Sequence, residues 1–129
     1  MIYLDTSVAL AHLLAEDRLP PERLWKEPLV SSRLLAYETW VRIHARKLGQ
    51  SHGAAANELL GRISLLELNP IILARALEPF PILVRTLDAM HLASLEFVQG
   101  LGQEVELASY DQRQRQAAKR LGITICTWV

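Results

Sequence analysis

Residues 2–14 read Ile-Tyr-Leu-Asp-Thr-Ser-Val-Ala-Leu-Ala-His-Leu-Leu. Ile2 to Leu4 form a short apolar run, and Asp5-Thr6-Ser7 supplies the side-chain oxygens that start helices. Val8, Leu10, Ala11, Leu13 and Leu14 then recur at helical spacing. The stretch therefore reads as strand, N-cap, helix, and the same grammar repeats along the chain. Leu29-Val30-Ser31-Ser32 is a second strand followed by a cap, and helical spacing runs from Arg33 to Leu48, with Gly49 as the expected stop. Between the two units, residues 17–28 hold Pro20, Pro21 and Pro28, and Pro21 is suited to open a short helix.

Further along, a helix is predicted from about Ser51 to Ile63 despite Gly53 and Gly61. A third strand follows from Ser64 to Leu68, closed by Asn69-Pro70. Thr86 to Val98 is apolar on nearly every side, which marks a buried helix, and Gly100 and Gly102 end it. Val105 to Tyr110 reads as a fourth strand, Asp111 as the cap of a helix reaching about Leu121, and Ile123 to Thr127 as a last strand after Gly122. Strands alternating with helices imply an α/β fold with a mostly parallel sheet covered on both faces. The 129 residues fit one domain, with no repeat, low-complexity tract or linker.

Composition bounds the function. Half of the residues are hydrophobic, which excludes a disordered chain. The 14 basic residues balance 14 acidic ones, so no general positive field favours duplex DNA. The bases are unevenly placed: Arg42, Arg46 and Lys47 form one run, and Arg113, Arg115, Lys119 and Arg120 another. Such runs can track a phosphate backbone or simply form solvated helix faces. The single Cys126 excludes an internal disulfide and a cysteine-rich zinc site, and reads as a small core residue. The N-terminal stretch lacks a basic leader and is interrupted by Asp5, so a cytoplasmic location is expected.

Four acids stand out: Asp5, Glu38, Asp88 and Asp111. Asp5 and Asp111 lie just beyond strand ends, where open parallel sheets place their sites, although each also reads as an N-cap, and Asp111 with Gln114 has capping-box spacing. Glu38 sits beside Leu34, Leu35 and Val41 on its helix, against the alternative of a surface pair with Arg42. Asp88 starts the buried helix, where the helix dipole favours an acid and Thr86 is a possible cap. His91, one turn on, reads more readily as a hydrogen-bonded, semi-buried histidine than as a ligand. Four converging carboxylates repel one another strongly and need a cation, and oxygen donors without cysteine or paired histidines select Mg²⁺ or Mn²⁺ over zinc.

Tyr3-Leu4-Asp5-Thr6-Ser7, Glu38 after Ser31-Ser32, Leu87-Asp88-Ala89-Met90-His91-Leu92-Ala93 and Ser109-Tyr110-Asp111 together resemble the PIN domain, in order and spacing along almost the whole chain. The chain is most similar to the stand-alone PIN ribonucleases that act as toxins of VapC-type toxin–antitoxin pairs. The resemblance implies a three-layer α/β/α fold with a five-stranded parallel sheet, usually in a homodimer. It implies that Asp5, Glu38, Asp88 and Asp111 bind one or two Mg²⁺ or Mn²⁺ ions, with Thr6, Ser7 and Ser109 orienting the acids or the attacking water. It also implies endonucleolytic cleavage of single-stranded RNA, products with 5′-phosphate and 3′-hydroxyl ends, Arg113 as a phosphate contact, and an antitoxin partner.

Two other readings remain open at this point. A haloacid-dehalogenase-like phosphatase also begins with a strand ending in Asp, but it needs a second Asp where Ser7 stands. A PIN-like module that binds RNA or protein without cutting is disfavoured by the presence of all four acids. Trp25, Trp40 and Trp128 read as core or dimer-interface anchors, and His12, His44 and His52 lack ligand spacing.

Overall fold

A computed structural model describes residues 1–129 and places the opening strand, β1 (Ile2–Leu4), at the centre of a five-stranded sheet. The other strands are β2 (Leu29–Ser32), β3 (Ile63–Leu66), β4 (Glu106–Ala108) and β5 (Thr124–Ile125), in the order β3-β2-β1-β4-β5. Every pairing is parallel, with Tyr3 opposite both Val30 and Leu107. Parallel neighbours need crossovers, and helices supply them. These are α1 (Thr6–Leu13), α2 (Arg33–Ala45), α3 (Gly49–Gly61), α4 (Pro70–Ala76), α5 (Thr86–Gly100) and α6 (Gln112–Arg120).

Side chains alternate across a strand, so β1 feeds two cores. Ile2 and Leu4 pack with Val8, Leu13, Leu35, Ile43 and Leu59 beneath α1, α2 and α3. Tyr3 points to the opposite face, among Leu92, Leu95, Val98, Leu107 and Ala117 beneath α5 and α6. This is the three-layer α/β/α arrangement expected from the alternation of strands and helices. Since all strands run the same way, their carboxyl ends gather Asp5, Ser109 and Asp111 along one edge of the sheet.

Several boundaries differ from the sequence reading, each for a physical reason. α2 ends at Ala45, and the left-handed residue that turns the chain is Lys47 (φ 56°), while Gly49 opens α3 instead of stopping α2. Gly53 inside α3 faces Trp40, whose ring would lie 3.3 Å from an added Cβ. Asn69-Pro70 starts a helix as well as ending a strand region: the Asn69 side chain accepts from the Ile72 N–H and Pro70 occupies the first turn of α4. Pro21 is the N-cap of a short 3₁₀ helix, Glu22–Lys26, one position earlier than expected. Thr86 lies inside α5, whose N-cap is Arg85 with no side-chain cap bond. The last strand is shorter than the predicted 123–127, although the Cys126 N–H still bonds the Leu107 carbonyl at 2.8 Å. Cys126 itself is buried, which pushes its thiol pKa up. No helix is long and apolar enough to cross a membrane.

Candidate metal-binding cleft

Beyond the carboxyl edge of β1 and β4 lies an open cleft of about 500 Å³, and all four singled-out acids line it: Asp5, Glu38, Asp88 and Asp111. Glu16 and Asp17 add two more carboxylates, against the guanidinium groups of Arg18, Arg42 and Arg85. Six acids facing three arginines leave the lining with an excess of negative charge, which favours a cation inside it.

Asp5 caps α1, accepting the Ser7 N–H on Oδ2 at 3.3 Å. The same oxygen accepts the Ser7 hydroxyl and the Ser109 hydroxyl, the latter at 2.9 Å. These hydroxyls are held in turn, since the Tyr110 N–H donates to Ser7 Oγ and the Asp111 N–H to Ser109 Oγ, both at 3.0 Å. The Asp5 N–H bonds the Ala108 carbonyl. A buried carboxylate thus acquires fixed donors on one oxygen, while Oδ1 receives none. Ser7 and Ser109 both hydrogen-bond Asp5, and a hydroxyl at Ser7 leaves no second carboxylate for a phosphatase-like acid.

Glu38 lies within α2, where the backbone N–H groups are used by the helix, and its partners come from other elements. Its Oε1 accepts the Thr6 hydroxyl at 3.1 Å and faces His91 Nε2 at 2.6 Å. The alternative pair with Arg42 does not form. His91 is 2% exposed and bonded at both ring nitrogens, in keeping with the hydrogen-bonded reading of that residue.

Asp111 caps α6, its Oδ1 accepting the Arg113 and Gln114 N–H groups at 2.9 and 3.3 Å. The reciprocal half of the capping box is absent: the Gln114 amide reaches the Asp88 carbonyl instead, and Ser109 takes the Asp111 N–H. Asp88, on the first turn of α5, meets Arg85 Nε at 3.4 Å through Oδ2. Arg85 Nη2 stands 3.6 Å from Asp111 Oδ2, so one exposed arginine bridges the two acids. Burial raises the Asp88 pKa, the Asp111 charge raises it further, and Arg85 opposes both.

In each of the four acids, one oxygen is engaged by protein donors and the other accepts no hydrogen bond. Oxygen-only donors in one negatively charged cleft suit a hard cation such as Mg²⁺ or Mn²⁺. As they stand, no three acidic, histidine or cysteine side chains are grouped to hold an ion, each acid being turned to its own partner.

Arg113 does not line the cleft; only its backbone N–H takes part, at the cap. The arginines that do line it, Arg18, Arg42 and Arg85, come from a loop, the middle of α2 and a helix start, positions that share no sequence pattern. Arg18 lies over the Tyr110 ring at 4.8 Å. A signal for Arg85 existed, since it precedes Asp88 by three residues, a spacing that brings side chains together at a helix start. A larger groove of about 750 Å³ runs beside the cleft, lined mainly by apolar residues between Leu73 and Met90 and sharing Arg85, but it contains none of the four acids.

The PIN domain family model matches residues 2–120. The chain is also 34% identical to Ribonuclease VapC46 of Mycobacterium tuberculosis over 128 residues, covering 96% of this chain and 95% of that protein.

Proposed function

Since the chain belongs to the PIN domain family, we propose that it is an Mg²⁺- or Mn²⁺-dependent endoribonuclease that cleaves single-stranded RNA, and that it is the toxin of a toxin–antitoxin pair. The observation that carries this reading is that the four acids line one cleft, each keeping an oxygen that accepts no hydrogen bond. Asp5, Glu38, Asp88 and Asp111 would hold the metal. When bound, the metal would lower the pKa of a coordinated water and neutralise charge developing on the phosphate.

The remaining work falls to the protein. Ser7 and Ser109 hold Asp5, Thr6 helps hold Glu38, and the backbone at the start of α6 holds Asp111. Arg18, Arg42 and Arg85 offer guanidinium groups to the phosphates of a strand lying in the cleft. The openness of the cleft suits single-stranded substrate. A cognate antitoxin, a homodimer and a cytoplasmic setting complete the reading, supported by the likeness to the VapC protein.

The test is cleavage of a labelled single-stranded RNA by the purified protein, first stripped with chelator and then given Mg²⁺ or Mn²⁺. Cutting that returns with metal and leaves 5′-phosphate ends is the expected result. Folded protein that binds the RNA yet never cuts it with either metal would establish the non-cleaving module instead.

A further inference from the structure

A polar chain runs from the core to the cleft. Tyr3, fully buried in the central strand, places its hydroxyl 2.8 Å from His91 Nδ1, with the two rings edge-on at 83°. The other ring nitrogen, Nε2, meets Glu38 Oε1 at 2.6 Å. The Glu38 carboxylate can only accept, so His91 Nε2 carries the ring hydrogen and Nδ1 is left to accept the Tyr3 O–H, while the Ser31 and Ser94 hydroxyls donate to the backbone carbonyls of Leu4 and Met90. A phenol keeps its proton at neutral pH, so Tyr3 is a donor there. With Tyr3 donating to Nδ1, a neutral imidazole carries its hydrogen on Nε2 and donates it to Glu38.

Apolar residues would fill this space without the desolvation cost of a buried phenol and imidazole. The chain has one outlet, the Glu38 carboxylate. Glu38 is also the acid that most needs outside support. Asp5 and Asp111 are tied to backbone N–H groups at their own helix starts, whereas Glu38 is longer, has more rotamers and stands mid-helix.

We propose that Tyr3 and His91 are positioning residues: Tyr3 fixes the tautomer and ring orientation of His91, which with Thr6 pins Glu38 Oε1 and presents Oε2 to the metal. The arrangement is the usual outer-shell logic of metal sites, here supporting a carboxylate through a histidine. It rests on the assignment of the four acids as metal ligands.

The experiment measures Mn²⁺ affinity by electron paramagnetic resonance, and separately the melting temperature, for wild type, Tyr3→Phe, His91→Leu and Glu38→Gln, and for Tyr3→Phe combined with Glu38→Gln. The His91→Leu change is expected to weaken Mn²⁺ by about 10-fold or more, as outer-shell losses do. Tyr3→Phe, which deletes one oxygen and keeps the ring, is expected to weaken it less, and saturating Mn²⁺ should restore its cleavage rate. In the Glu38→Gln background, Tyr3→Phe should cost no further affinity, because its effect passes through that carboxylate. Should Tyr3→Phe lower the melting temperature and leave Mn²⁺ affinity unchanged, or weaken Mn²⁺ equally with and without Glu38, the positioning role is overturned. Failure of the parent reading looks different: wild type itself would then bind no Mn²⁺, or Asp5→Asn would leave its affinity intact.

Discussion

The two walls of the cleft are built in opposite ways. On one wall, Asp5 and Glu38 are held by Ser7, Ser109, Thr6 and His91, three of which are among the most buried polar residues of the chain. On the other wall, Asp88 and Asp111 face each other across Arg85, whose side chain is 69% exposed. The first wall is preorganised by the fold. The second relies on an exposed surface cation to separate two like charges, a role that a bound metal ion would take over.

The largest effect should come from the preorganised wall. Asp5→Asn keeps the shape and most hydrogen bonds but removes a charge, and is expected to lower cleavage by on the order of a hundredfold or more, given the several kcal/mol a metal contributes. Retention of full Mn²⁺-dependent cleavage in a folded Asp5→Asn protein would break the comparison at its strongest point.

Next comes Asp88, where the sign of the pH effect is diagnostic. Its folded pKa lies above the ordinary 3.8, so the native state holds the proton more tightly than the unfolded chain does. Without metal, stability should therefore fall as pH rises from the ordinary carboxylate value through the raised one. Asp88→Asn should remove that slope and raise the metal-free melting temperature at neutral pH, while lowering metal-dependent cleavage by less than Asp5→Asn does. Thermal melts across that pH range, in chelator, provide the check.

The smallest effect belongs to Arg85. An exposed pair contributes about 0.2–1 kcal/mol, so Arg85→Ala should lower the metal-free melting temperature slightly, and less at high salt. Saturating Mg²⁺ should erase the difference. A loss as large in Mg²⁺ as in chelator would show that the arginine stabilises something other than the acid pair.

The same contrast explains what could be read from the chain alone. Asp5 and Asp111 were legible because strand-to-helix junctions leave a local signature: an apolar run, a cap residue, then helical spacing. The sheet was legible for the same reason, since doubly covered parallel strands appear as short apolar runs. Glu38 was harder, because its local neighbour Arg42 competed with a true partner, His91, 53 residues away. Such long-range contacts leave no periodicity. α4 escaped because Asn69-Pro70 serves equally as a strand-ending turn and as a cap with its first helical residue. Of the cleft arginines, Arg42 stood in one of the two basic runs, whereas Arg18 and Arg85 come from other elements and join it only once the chain has folded.

The bond from Ser109 to Asp5 spans 104 residues of chain. Asp5 and Glu38 are synthesised well before the hydroxyl that steadies the first and before Asp111 itself. A chain that has been made only as far as α5 therefore lacks one of the four acids and one of the hydroxyls that hold Asp5. On the proposed reading, the capacity to cut RNA arrives only when the segment carrying Ser109 and Asp111 has been made and has folded back onto β1.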